Sequence, residues 1–480
     1  MPMRRPVLAA FAAANAAAAW GGAVALAAGA IDLGRRLDDR LPLASPVLAG
    51  VALALIVAVP LTALAWSAWH GTEHTDELAL VAGTALIGWI AVQLVVLRAF
   101  SLFQPLYLAI GIALVETSHR IRPSPPRRGA ILVLAGAVVT ATGIGLAPHL
   151  VDLWSAGGSS LAAGVAAAAL LGGIVLVVVG ARTALRGRRL PGRLIGGASA
   201  VVVAGVVVWL VAPAIAATSV PGGEVTSTPD DVGLDYESVT LRTADEVELA
   251  GWFLPGSNGA GVVVLHGAGS TRSAVLRHAA VLVDAGYSAL LVDARGHGDS
   301  GGTAMDLGWY GDLDAAAATA FLRHRPGIDR DRIGLVGMSM GGEEAIGAAA
   351  SDPSVRAVVA EGATGRRAAD KAWYSDAYGW RGWLQEWFET VQYGVVDLLT
   401  EASPPIALRT AVERAADTRF LLITAGEVAD EARAAAHIRD AAPDRVALWT
   451  VEGAGHTDGL DTQPRRWGSV VVDFLDAALA

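Results

Sequence analysis

The sequence predicts two unlike domains. Residues 1–217 read as an α-helical transmembrane domain of about seven spans, residues 218–235 as a linker, and residues 236–480 as a domain on a mostly parallel, doubly wound sheet. Three observations carry this. Long uncharged runs of Ala, Val, Leu and Gly fill the first part, and a helix needs about 20 apolar residues to cross the hydrocarbon core of a bilayer. From about residue 224 charged residues of both signs return. In that second part short β-branched runs alternate with amphipathic helical stretches, the pattern of a parallel sheet covered on both faces.

Composition narrows the function classes. Charged residues make up 17% of the chain, below the roughly one quarter of ordinary globular proteins, and mean hydropathy is +0.47. The formal net charge of −10 argues against nucleic acid as a partner. There is no cysteine, which excludes disulfides, thiol nucleophiles and cysteine-ligated metals. Lys371 is the only lysine beside many arginines, and Ala and Gly abound, which reads as the codon usage of a GC-rich bacterial genome. No metal site is expected: there is no clustered His/Asp/Glu metal spacing, and His70 and His74, at helical spacing, are a weak pair in a polar loop.

Candidate spans lie near 7–30, 46–68, 79–97, 100–116, 129–148, 160–181 and 194–216. The third and fourth are separated by little more than Arg98, and the fourth carries Gln104 and Pro105. Loop arginines set the expected orientation. Arg120, Arg122, Arg127 and Arg128 mark one cytoplasmic loop; Arg182, Arg186, Arg188, Arg189 and Arg193 mark another. The last span then runs outward, so a multi-pass cell-membrane protein with an extracytoplasmic second domain is expected. The spans hold few polar residues beyond Asn15, Gln93 and Gln104, which fits an anchor. A transporter or sensor carrying an inert appendage is the reading from a different class.

In the second domain, residues 237–243 and 247–255 read as a hairpin. "AGVVVLHG" (260–267) is a continuous apolar run, the look of a strand buried on both faces. The runs "YSALLVDARGHGDSGG", "RIGLVGMSMGG", "VRAVVAEGA", "RFLLITAGE" and "RVALWTVEGAGH" supply five more strands with helices between them. Ligands of such sheets bind beyond the carboxyl ends of the strands, so those ends hold the candidates. They carry His266-Gly267-Ala268-Gly269, then Asp293 to Gly301, then Gly337-Met338-Ser339-Met340-Gly341. Glu427, Asp430 and Glu431 follow a later strand, and His456 the last one. G-x-S-x-G describes a strained strand-to-helix elbow that exposes a serine Oγ. The pentapeptide alone is weak in a chain with 56 glycines; its place after a buried strand is what gives it weight.

"VVVLHGAGSTRS", "LLVDARGHGDSGG" and "GLVGMSMGGEEA", in this order, resemble the α/β-hydrolase superfamily, and more narrowly the membrane-anchored serine hydrolases of actinobacteria. The resemblance covers about half the chain. It implies an α/β-hydrolase fold and a serine hydrolase that cleaves ester or thioester bonds, with peptide bonds open, through an acyl-enzyme. An acyltransferase would use the same serine. Ser339 would be the nucleophile and His456 its base. The acid would be Asp430, although the family more often reads Gly, two residues, Asp, and here the spacing from Gly426 is one longer. Glu427, Glu431 and Glu361 are its rivals. The oxyanion hole would use the N–H groups of Met340 and Ala268, with Gly269 the neighbouring choice for the second donor. Arg295, Asp299 and Ser300 would brace the loop facing the site. No cofactor is implied. The expected partners are a small-molecule or lipid-like acyl substrate and the lipid bilayer.

The family often places a lid where residues 364–413 form an insertion. It is rich in aromatics, and Trp380, Trp383 and Trp387 fall on one helical face. Packing against the sheet, contact with an acyl substrate, and rest at a bilayer surface are the three readings of that face.

Overall fold

The computed structural model describes residues 4–33, 35–101, 103–118, 125–155 and 160–480. Arg120 and Arg122, of the first arginine loop, lie outside the described residues. The chain forms two compact units: residues 1–216 with 395–401, and residues 217–394 with 402–480.

The first unit is helical. Its long helices are α1 (Pro6–Ala27), α2 (Pro46–His70), α3 (Thr75–Leu97), α4 (Phe103–Thr117), α5 (Pro125–Gly145), α6 (Ser160–Ala184) and α7 (Leu190–Thr218). Six of them, all but α4, are long and apolar enough to cross a membrane. The difference from seven lies at Arg98, which takes a left-handed conformation (φ 47°) and ends α3. At about 1.5 Å per residue, α4 with its 15 residues reaches only about 22 Å, short of the roughly 30 Å core. Helices α5 and α6 pack backbone to backbone. A Cβ on Gly136 would lie 2.6 Å from Val177 N and 2.8 Å from Gly173 O, the close approach that small residues permit between apolar helices. Large apolar side chains such as Leu194, Ile195, Val201 and Val202 point outward, at 63–70% exposure, which suits a hydrocarbon surrounding.

The second unit is built on one eight-stranded sheet. Its strands are β1 (Glu237–Arg242), β2 (Glu248–Leu254), β3 (Gly261–Leu265), β4 (Ser288–Val292), β5 (Ile333–Met338), β6 (Val355–Glu361), β7 (Arg419–Ala425) and β8 (Val446–Val451), in spatial order β1-β2-β4-β3-β5-β6-β7-β8. The β1–β2 hairpin and the β2–β4 pair are antiparallel; every other pairing is parallel. Strands β3, β4 and β5 are buried along their whole length. That is why their sequences are unbroken apolar runs with no alternation. The helices α8 (Leu276–Asp284), α9 (Gly311–Arg323), α10 (Met340–Ala349), α11 (Trp380–Leu399), α12 (Leu408–Arg414), α13 (Ala429–Arg439) and α14 (Pro464–Ala478) complete the unit, the last turn of α11 excepted. One core lies on each face. Leu265, Leu335, Ile346 and Phe420 belong to the first, and Val264, Val336, Leu282 and Trp467 to the second. Alternate residues of one strand serve opposite cores, as the two-residue period of a strand requires. The parallel strands all end on one edge, and that edge collects the chemistry.

Candidate active site

Strand β5 ends at Met338 and α10 starts at Met340, so Ser339 is the whole of the turn. Its backbone stands at φ 51°, ψ −117°, a conformation that costs a non-glycine residue on the order of 1–3 kcal/mol. Gly337 and Gly341 make the turn possible. A Cβ on Gly337 would sit 2.2 Å from Gly341 O, and one on Gly341 would sit 2.6 Å from His266 O. The serine N–H donates to Glu361 O at 2.7 Å, tying the elbow to the end of β6.

His456 comes from the loop after β8. Its Nε2 lies 2.9 Å from Ser339 Oγ, and its Nδ1 lies 2.5 Å from Glu431 Oε1. A carboxylate can only accept, so Nδ1 carries the proton and Nε2 is left to accept from the serine hydroxyl. Glu431 is buried, with 2% of its side chain exposed, and its second oxygen accepts the Ala425 N–H at 2.8 Å. That bond fixes the carboxylate to the end of β7. The Glu431 hydrogen bond raises the His456 pKa above its ordinary value of 6.5, against the lowering effect of partial burial.

The structure thus brings Glu431, one of the rivals, to His456 and not Asp430. Asp430 accepts from Tyr378 Oη at 2.5 Å and from Arg433 Nη1 at 3.2 Å, on the exposed side of α13. It braces a surface contact and leaves the histidine to Glu431. Successive residues of a helix point about 100° apart, so only one of the two can face His456. Glu427 is exposed. Glu361 is buried and accepts Gly459 N–H at 2.8 Å and Trp467 Nε1–H at 2.7 Å, with its carboxyl pushed up by burial. It holds the loop that carries His456.

Of the two expected N–H donors, Met340 directly follows the serine and Ala268 directly follows a residue that lies against it. Met340 is the first residue of α10, where a helix N–H has no acceptor within the helix. Gly267, just before Ala268, lies against the serine: a Cβ placed on it would be 3.4 Å from Ser339 Cβ. Gly269 N–H is already donated to Asp306 Oδ1 at 2.9 Å, which removes it as the rival of Ala268. The loop is held from beneath by His266, whose Nε2 accepts Ala294 N–H at 3.0 Å. Nδ1 must then hold the proton, which it donates to Gly267 O at 2.7 Å. Burial lowers the His266 pKa to about 4, so the ring stays neutral in this bracing role.

Arg295, Asp299 and Ser300 all take part in bracing. Arg295 pairs with Asp245 and Asp314, and Asp299 shares Arg272 with Asp293. Ser300 Oγ donates to Asp293 O at 2.7 Å. Trp380, Trp383 and Trp387 stand apart from all of this. They lie on α11 with 74%, 62% and 49% exposure and belong to neither core, so of their three readings packing against the sheet is not what the structure has.

Two participants went unread in the sequence. Asp306 holds both Gly269 N–H and His297 Nε2, the latter at 3.0 Å, from a loop with no strand-end signal. Gly362 lies under the histidine: a Cβ there would be 2.8 Å from His456 Cε1. Its position right after β6 was the available hint. Among the described residues no three His, Cys, Asp or Glu side chains converge as metal ligands.

Residues 256–422 match a family model described as serine aminopeptidase, S33; the match includes Ser339 and stops before Glu431 and His456. The chain is 37% identical over 136 residues to a thiohydrolase of Aspergillus aculeatus, covering 28% of this chain and 43% of that one. It is 34% identical over 124 residues to an uncharacterized protein of Mycobacterium tuberculosis, covering 25% and 43%. The matched part spans less than half the length of these relatives. Among solved structures, an esterase of Pyrococcus furiosus aligns over 55% of this chain and 100% of its own, at 24% identity and a TM-score of 0.44.

Proposed function

We propose that the second half of the chain, whose residues 256–422 match the family model and whose sheet is mostly parallel, is a serine hydrolase of the α/β-hydrolase type held at a membrane by the first half. The observation that carries this is the contact of His456 Nε2 with Ser339 Oγ at 2.9 Å, with Glu431 on the other ring nitrogen. Serine is a poor nucleophile until a base takes its proton. His456 removes that proton as Oγ attacks a carbonyl carbon, and Glu431 stabilises the imidazolium without itself taking the proton. The oxyanion of the tetrahedral intermediate is met by the N–H groups of Met340 and Ala268. His456 then protonates the leaving group, and water, deprotonated by the same ring, releases the acyl group from Ser339.

An ester or thioester of a small or lipid-like acyl group is the proposed substrate class. The family model's own description, a serine aminopeptidase, favours peptides as the second reading, and the same three side chains serve it. The arginines from Arg182 to Arg193, at and around the turn joining α6 and α7, support a cytoplasmic loop there and an extracytoplasmic hydrolase unit.

The test is labelling of the full-length protein with a fluorophosphonate, beside Ser339→Ala and His456→Ala. Labelling of the wild type that disappears in Ser339→Ala and weakens sharply in His456→Ala is the expected result. A folded wild type that takes no label would overturn the proposal. Ester, thioester and aminoacyl-peptide panels then separate the two readings.

A further inference from the structure

Helix α11 is two-faced. On one side Glu386 Oε1 accepts Ser375 N–H at 2.7 Å, Tyr393 Oη donates to Gly365 O at 3.2 Å, and Gly382 lies where any Cβ would strike Tyr374 O. That side fixes the helix to its own unit. On the other side Trp380, Trp383 and Trp387 project with Leu384, the last at 37% exposure. Spaced by three and four residues, they form one stripe. Among the described residues the three indole N–H groups make no hydrogen bond, and Arg381 is exposed beside them. Three large exposed tryptophans in one row mark an interaction surface, unlike scattered single apolar residues.

We infer that this stripe rests in the headgroup region of a lipid bilayer. The inference relies on the membrane-spanning reading of the first unit and is independent of the serine chemistry. Four observations choose lipid over another occupant. Among its described residues the same chain holds six helices long and apolar enough to cross a membrane. The last of these ends at Thr218 and β1 begins at Glu237, so the connecting segment reaches at most on the order of 60 Å even when fully extended. That reach lets the hydrolase unit touch the bilayer surface. The stripe is made of tryptophan, the residue enriched where an apolar body meets water at the interface with its N–H toward the headgroups. Its exposed neighbour is a cation, as on helices that lie in the plane of an interface.

The chain has no cysteine, so single cysteines can be introduced into the full-length protein and labelled with an environment-sensitive fluorophore. Trp383→Cys reports the stripe and Asp444→Cys an exposed turn elsewhere on the unit. Val92→Cys reports an outward position of α3, 52% exposed. The proteins are placed singly in phosphatidylcholine nanodiscs, with and without acyl-brominated lipid. We expect a blue shift and loss of emission in brominated discs at 383 and at 92, with no change at 444. A label at 383 that behaves like 444 while 92 is quenched overturns this inference alone. No quenching at 92 overturns the membrane reading beneath it. A shift at 383 that needs two protein copies per disc assigns the stripe to self-association and also overturns the inference.

Discussion

Glu431 Oε1 stands 2.5 Å from His456 Nδ1, although Asp430 is the residue one position closer to the end of β7. The extra methylene of glutamate offsets the extra residue of spacing. The carboxylate reaches the ring from the first turn of α13 while its second oxygen stays on Ala425 N–H. This contact fixes the tautomer and is the largest influence raising the ring's pKa.

Glu431→Gln should therefore lower kcat by on the order of 10³–10⁴, because an amide no longer enforces the Nδ1–H tautomer. Asp430→Asn should change kcat less than about tenfold, since Asp430 only braces Tyr378 and Arg433. Steady-state kinetics on one ester substrate compares the two. Equal losses in both variants would return the acid to an open question.

The pH profile gives a second expectation. His456 acts as base only when neutral, and its partner Glu431 holds its pKa above 6.5. Activity should accordingly fall on the acid side at a higher pH than for an ordinary histidine. In Glu431→Gln the raising influence is gone and the residual activity should have its acid limb at lower pH. A limb that does not move, measured as kcat/KM against pH, would contradict the pairing.

Several features were legible in the sequence because they depend on local pattern. Strands β3 to β7 could be read from apolar runs, since buried parallel strands need apolar side chains on both faces. Ser339 stood out because it follows such a run at once, and His456 because it lies in the loop just past the last strand. The acid did not, because its choice depends on where α13 begins: with the helix starting at Ala429, residue 431 faces the ring and 430 faces solvent. The period of Trp380, Trp383 and Trp387 gave a helical face but not its direction, which the contacts of Gly382 and Glu386 decide. Near Arg98 the hydropathy of two adjacent segments hid the left-handed residue that separates them.

Gly362 offers a third expectation. It adopts φ +73°, which side chains disfavour, and a Cβ would press on His456 Cε1 at 2.8 Å and Thr457 Cγ2 at 3.0 Å. Gly362→Ala should displace the imidazole from Ser339 and lower kcat by roughly 10²-fold, the order of loss for a misplacement near 1 Å. KM should change little and the unit should remain folded. Unchanged kcat in a folded variant would mean that the loop yields without moving the ring.

The last expectation concerns the loop under the site. Asp293 is fully buried and pairs with Arg272, which lies 4.3 Å over the Trp252 ring. Removing one partner of a buried pair typically costs about 3–5 kcal/mol, because the other charge stays behind without compensation. Arg272→Met should destabilise the hydrolase unit by that order, as Met replaces the stem but not the charge. Burial already pushes the Asp293 carboxyl above its ordinary value, and loss of the arginine pushes it further. A carboxyl whose folded pKa is raised is tolerated when protonated and penalised when charged. The gap between wild type and variant should consequently narrow as pH falls toward the carboxylate range and widen toward neutrality. Thermal unfolding of the detergent-solubilised protein at several pH values measures it. A gap that stayed constant with pH would show that packing over Trp252, and not the charge on Asp293, is what Arg272 supplies.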